Sequence, residues 1–345
     1  MAPTEPVDNS RVTVVHNARK PALGALRFAE RLRERGIDVD VVVSDDAAQA
    51  DAAARRALDA GVELVVASGG DGTIRSILDA IYEAHATLGV LPLGTANDLA
   101  TDLGIRTIDD AALAVIAARA RAWDAGMCTY HGADGSEKRS PFCSTAGVGL
   151  VARAMAMSQR RVGSALKRVL RNGAWPPLIT ASTYLTRARP CVLTFDGKRV
   201  ERDLMMLEIS KLRAAGGIPV TPDARGDSGM LHAWTVGNPR IWEFAGILYD
   251  SLSGSMRQLE SEHVEYFSRE PSQNRAGVSG VTRLAIESDV PMPVHLNGDY
   301  VGVTPAVFEL TPSAFRVLAP PGLAGEAVRV VPEKPRGVAA QVARA

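Results

Sequence analysis

The chain has 345 residues, 46% hydrophobic and 23% charged, with 39 basic and 39 acidic side chains. This length favours two domains over one, and a net charge of zero argues against a general nucleic-acid binder. Three cysteines (Cys128, Cys143, Cys191) without a CxxC pair make neither a disulfide framework nor a zinc site. No apolar stretch reaches the ~18 residues needed to span a bilayer. The opening MAPTEPVDNS lacks the basic and apolar segments of a secretory signal, so a cytoplasmic protein is expected.

In chain order, residues 1–10 read as disordered. Arg11 to His16 reads as a first strand buried on both faces, with Asn17 at its end. Leu23 to Arg35 has the apolar spacing of an amphipathic helix stopped by Gly36. Asp38 to Val43 is a second strand ending at Ser44, and Ala47 to Ala60 a second helix stopped by Gly61. Leu64 to Ala67 then enters a turn containing Gly69, Gly70, Asp71, Gly72 and Thr73, and Ile74, Ile77, Leu78 and Ile81 recur behind it at helical spacing. Leu88 to Leu91 enters a second turn, Pro92-Leu-Gly-Thr-Ala-Asn-Asp98, again followed by helix formers. A helix over Asp109 to Ala122 closes this half. The alternation predicts an α/β domain over residues 11–125, a mostly parallel sheet with helices on both faces.

The pattern changes near Trp123-Asp-Ala-Gly126. Short apolar runs at 123–130, 140–145, 190–196, 203–210, 230–236, 281–288, 293–297 and 306–319 alternate with turn signals such as Asp196-Gly197 and Asn297-Gly298. Residues 126–320 therefore read as a second domain, a mainly antiparallel β-sandwich, and 321–345 as a tail.

The two glycine turns carry the chemistry. In an open parallel sheet such turns lie side by side at the carboxyl ends of the strands, where ligands bind. Glycines let backbone N–H groups approach phosphate oxygens, and the helix N-terminus favours negative charge. Asp71 and Asp98 place a carboxylate in each turn, as expected where Mg²⁺ accompanies a nucleotide. A single GGDGT would be better explained as a capped turn; two in tandem favour a nucleotide site.

This stretch resembles the diacylglycerol kinase catalytic-domain family, through Gly69-Gly70-Asp71-Gly72-Thr73 and Pro92-Leu93-Gly94-Thr95-Ala96-Asn97-Asp98. The first motif is shared with NAD kinases and phosphofructokinases; the second is more specific to lipid kinases. The resemblance implies an ATP-dependent lipid kinase with its nucleotide cleft between two domains. Asn17, Ser44, Gly69, Gly70, Asp71, Gly72, Thr73, Gly94, Thr95 and Asn97 would contact the nucleotide, and Asp71 and Asp98 would serve catalysis through Mg²⁺. Ala18 and Ser44 replace a proline and a threonine of the family pattern, and Ser76 replaces a glutamate.

Three later stretches extend the resemblance. Cys143-Ser-Thr-Ala-Gly-Val-Gly-Leu150 matches a family segment at Ala146, Gly147 and Gly149, and a packed glycine turn is expected there. Pro222 to Leu231 resembles a loop that holds a structural Mg²⁺ in bacterial members. Asp227 is the candidate ligand, but Ser228 replaces a second aspartate, which favours a plain turn over a metal. Leu296 to Pro305 resembles the stretch that carries the family's general base, a glutamate; here Asn297 and Asp299 occupy its Asp and Glu positions. From the residues alone NGD is a type I′ hairpin turn; with the resemblance, Asp299 is the candidate base.

Between Glu137 and Asp196 the chain has many cations and no acid. Val162, Leu166, Val169 and Leu170 fall there at helical spacing, with Trp175 after them, a pattern that suits an anionic membrane surface as well as an ordinary packed helix. The expected partners are ATP and a lipid at such a surface, bound transiently, without nucleic acid; a homodimer is left open. Two alternatives stand: a NAD or sugar kinase of the same superfamily, and a catalytically silent nucleotide-binding lipid sensor.

Overall fold

The computed structural model describes residues 4–159, 182, 186–253, 261–267 and 280–320. Its first half runs β1 (Thr4–Pro6), β2 (Arg11–Asn17), α1 (Ala22–Arg33), β3 (Asp38–Ser44), α2 (Ala47–Asp59), β4 (Leu64–Gly69), α3 (Asp71–Glu83), β5 (Thr87–Pro92), α4 (Asp98–Asp102) and α5 (Ile108–Ala117). Strands β3, β2, β4 and β5 lie in that order, all parallel. β4 is buried along its whole length, as strands covered by helices on both faces must be. Local chemistry fixes the helix starts. Asp46 accepts the Gln49 N–H at the start of α2, and Thr107 and Asp110 cap α5 reciprocally.

The second half runs β6 (Arg119–His131), β7 (Glu137–Phe142), β8 (Thr145–Gly149), α6 (Leu150–Gln159), β9 (Arg189–Phe195), β10 (Lys198–Leu204), β11 (Met206–Ser210), β12 (Ala214–Ala215), β13 (Ile218–Pro219), β14 (His232–Val236), α7 (Ile241–Ser253), β15 (Val264–Phe267), β16 (Arg283–Ser288), β17 (Pro293–Leu296) and β18 (Asp299–Leu318). One antiparallel layer has the order β15-β14-β11-β8-β17-β18, and β10, β9, β16, β18, β6 and β7 pair into the other. Their inner faces enclose Phe142, Leu193, Phe195, Leu207, Phe267 and Phe308. The twenty-residue β18 serves both layers, and its far end, Arg316 and Val317, pairs in parallel with Thr87 and Leu88 of β5. A parallel α/β half joined to an antiparallel β-rich half is the expected fold class.

Several sequence expectations change. Residues 4–6 are not disordered: Thr4, Glu5 and Pro6 pair with Arg121, Ala120 and Arg119 of β6, and Val7 is buried behind them. The helix expected to Ala122 stops at Ala117, because Ala118 turns left-handed (φ 49°) and Arg119 opens β6. The segment at 143–150 is not a turn. It forms β8, buried throughout and paired with β11 and β17. Glycine is needed there because a Cβ on Gly147 would sit 2.6 Å from the Leu207 carbonyl oxygen. Helices α6 and α7 and strand β15 had no counterpart among the expected elements. The basic stretch from Val162 to Trp175 and the tail 321–345 lie outside the described residues. Among the described residues no helix is long and apolar enough to cross a membrane.

Candidate active site

The two glycine turns meet. A Cβ on Gly94 would lie 2.4 Å from the Gly70 Cα, so the turns touch backbone to backbone. β4 and β5 are adjacent in the sheet and deliver both turns to the same edge. Within the first, a Cβ on Gly69 would strike the Thr73 hydroxyl, whose oxygen accepts the Asn17 amide N–H at 3.2 Å. In the second, Asn97 turns left-handed (φ 51°), and its side-chain oxygen accepts the Gly94 N–H at 2.9 Å. Asn97 thus shapes the turn. The Ser44 hydroxyl donates to the His16 carbonyl at 3.2 Å and is buried, so it fastens two strand ends together. Gly72 and Thr95 lie in the same two turns.

Asp71 opens α3 and Asp98 opens α4. The Asp98 carboxylate accepts the N–H groups of Gly216 and Gly217 at 2.5 and 2.8 Å. Burial, reinforced by the nearby Asp71 charge, nevertheless raises its pKa to about 6. Burial also pushes Asp71 upward, against backbone N–H groups of the α4 start that favour its charged form. Two desolvated carboxylates that repel one another form a place where a hard cation is favoured. Asp71 and Asp98 therefore are the residues that would hold the expected Mg²⁺.

Asp299 reaches this region from the other half. Leu296 and Asp299 pair across a turn in which Asn297 and Gly298 have φ of 48° and 82°, as a type I′ hairpin requires. The Asp299 carboxylate, 41% exposed, forms an ion pair of 2.7 Å with Arg75, one helical turn after Asp71. Asn297 does not face the cleft openly. Its oxygen accepts the N–H groups of Cys143 and Ser144 and the Ser144 hydroxyl, and its amide donates to the Pro141 carbonyl. Cys143 is near enough to Asp71 to feel its charge, which adds to burial in pushing the thiol up to about 12. The NGD hairpin, the start of β8 and the first glycine turn thus converge.

Asp227 does not join them. The Arg225 guanidinium pairs with it at 3.1 Å, and its charge acts on Lys211 and Arg121. Among the described residues no three His, Cys, Asp or Glu side chains are grouped to hold a metal. Asp227 is thus already paired with a cation of the chain itself, and its charge also reaches Lys211.

Arg75, Gly216, Gly217 and the pair Arg213–Asp102 (2.8 Å) were not among the candidates. A Gly-Gly pair such as Gly216-Gly217 is itself a turn signal. Nothing in the spacing announced that it closes over Asp98, 119 residues away for Gly217.

The sequence profile of the diacylglycerol kinase catalytic domain matches residues 12–128, the stretch that builds both glycine turns. A Pseudomonas putida protein named "Probable lipid kinase YegS-like" is 32% identical over 228 residues, 65% of this chain and 72% of its own. The Bacillus subtilis protein named "Diacylglycerol kinase" is 26% identical over 286 residues, 81% of this chain and 85% of its own. A crystal structure of a diacylglycerol kinase from Bacillus anthracis superposes with a TM-score of 0.68 at 18% identity, covering 92% of this chain and 99% of that one, a likeness of fold. With the site geometry and these likenesses together, the chain belongs to the diacylglycerol kinase catalytic-domain family.

Proposed function

We propose that the chain is an ATP-dependent kinase that transfers the γ-phosphoryl group to the hydroxyl of diacylglycerol or a similar lipid. The observation that carries this is the meeting of the two glycine turns at Asp71 and Asp98, with Asp299 brought beside them by the opposite half. The N–H groups of both turns bind and orient the triphosphate. Mg²⁺, held by Asp71 and Asp98, supplies charge neutralisation when bound. Asp299 takes the proton from the lipid hydroxyl; that oxygen bonds to the γ-phosphorus as the bond to the β-phosphate oxygen breaks and ADP leaves. The lipid is reached from the water side of an anionic membrane, at which the protein stays transiently.

One observation favours a second reading, a catalytically silent lipid sensor. Asp299 is already engaged by Arg75 and must leave or share that ion pair to act as a base. Phosphate transfer from labelled ATP to mixed micelles separates the two. The micelles carry diacylglycerol, monoacylglycerol, ceramide, sphingosine or phosphatidylglycerol, with NAD as control. The expected result is a labelled lipid, lost by at least ~10²-fold in Asp71→Asn and in Asp299→Ala. Intact ATP binding without any labelled lipid supports the silent reading, and labelled NAD without labelled lipid rejects both.

A further inference from the structure

Lys211 is a fully buried cation. It follows β11, and its side chain is 0% exposed. A buried ammonium needs oxygen partners on several sides. Its Nζ donates to the Met230 carbonyl at 2.8 Å and meets the Asp124 carboxylate at 3.3 Å. Asp124 is also buried. The same oxygen of Asp124 accepts the Gly229 N–H at 2.9 Å, and its other oxygen accepts the Ser313 N–H at 3.1 Å. The Asp124 N–H in turn donates to the Gly226 carbonyl at 2.7 Å, and Gly226 lies so close to the Trp123 ring that no Cβ would fit. The loop 222–231 is therefore folded around Lys211 and Asp124. Burial lowers the pKa of this lysine, and the charges of Asp124 and Asp227 oppose that.

We infer that the Lys211 ammonium is the resident cation of the 222–231 loop, which makes the loop independent of a divalent metal. A carboxylate and a carbonyl oxygen converging on one positive centre is the donor chemistry of a hard-cation site. Here a covalently attached cation fills it, and Arg225 pairs with Asp227 of the same loop. The consequence reaches the cleft. The Lys211 N–H donates to the Ser144 carbonyl, Arg213 pairs with Asp102, and Gly216 and Gly217 close on Asp98. Lys211 thus anchors one end of the segment whose other end holds a carboxylate of the candidate active site. Among the described residues, any requirement for Mg²⁺ then falls to Asp71 and Asp98. The inference concerns folding of the loop and stands independently of the proposed reaction.

The test is thermal unfolding and hydrogen exchange of the full chain without nucleotide, in EDTA and in millimolar MgCl₂ or CaCl₂. Exchange across 222–231 is expected to be the same in all three solutions. A cation bound at Asp71 and Asp98 would instead alter exchange at 69–73 and 97–99, so the two sites are told apart. Lys211→Met, which leaves Asp124 buried without its cation, is expected to lower the midpoint by about 10 °C and to raise exchange across 222–231. Two results would overturn the inference: protection of 222–231 that collapses in EDTA and returns with Mg²⁺ or Ca²⁺, or a Lys211→Met chain as stable and as protected as the parent. If Lys211→Met does not fold, the chelation experiment on the parent chain decides alone.

Discussion

At the scale of single residues, Asp98 makes the clearest statement about pH. Its pKa is about 6 in the folded chain against 3.8 for the ordinary carboxyl, with burial the main cause and Asp71 the second. Between those values the folded chain binds more protons than the unfolded one. This group's contribution to stability is therefore largest at low pH and is lost as the pH rises through about 6. Holding Mg²⁺ requires the ionised form, so binding of Mg²⁺ with nucleotide near pH 6 should expel a proton. Calorimetry in buffers of different ionisation enthalpy checks this. The apparent binding enthalpy is expected to depend on the buffer near pH 6 and to lose that dependence by pH 8. Buffer independence at pH 6 would count against Asp98 as a ligand.

At the scale of elements, the pair of glycine turns is a tight constraint. Gly94→Ala places a methyl group 2.4 Å from both the Gly70 Cα and the Asn97 side-chain oxygen. One contact is backbone, which cannot swing aside. Overpacking of this kind costs about 1–3 kcal/mol, and the turn must open to relieve it. Nucleotide affinity is expected to fall by at least about tenfold, as measured by titration, while the chain still unfolds cooperatively; unchanged affinity would show that the turn does not face the nucleotide. These turns were legible in the sequence because local patterns make them: an apolar run, glycines, an acidic helix start. The alternation over 11–122 was legible for the same reason. What eluded the sequence depends on distant partners. The glycines at 147 and 149 look like a turn until the Leu207 and Met205 carbonyls are seen to crowd them. Residues 4–6 have no apolar pattern and become a strand because β6 offers its edge. Arg75 is an ordinary helix-surface cation until the NGD hairpin arrives opposite it.

At the scale of the whole molecule, the two halves share their cores. Phe315, Val317 and Leu318 come late in the chain yet pack with Leu64, Val66 and Leu88 of the first half. Trp123, at the start of the long β6, lies in the same cluster. Phe315→Ala should therefore destabilise the α/β half, by about 3–5 kcal/mol as for other fully buried aromatics. Denaturant unfolding measures this, and a loss below about 1 kcal/mol would show that the end of β18 is dispensable to that core. An isolated N-terminal fragment lacks these side chains and leaves β5 without its outer neighbour. Such a fragment carries an uncovered edge that invites aggregation.

β18 has one further consequence, for which lengths of sequence this architecture accepts. Asp299 stands at its first position, and Val317 near its last is registered against Leu88. A strand has a side-chain period of two, so adding or removing one residue reverses every side chain beyond that point. A single-residue change in β18 would either turn Asp299 away from Arg75 or lift Phe315 out of its core. The strand already contains irregular pairing with β6 between Val303 and Val307 and between Thr311 and Phe315. Those two places are where a change of length does least harm to the ladder. Natural length variation among related chains should therefore gather in the connections of the β-rich half and avoid the interior of its longest strand.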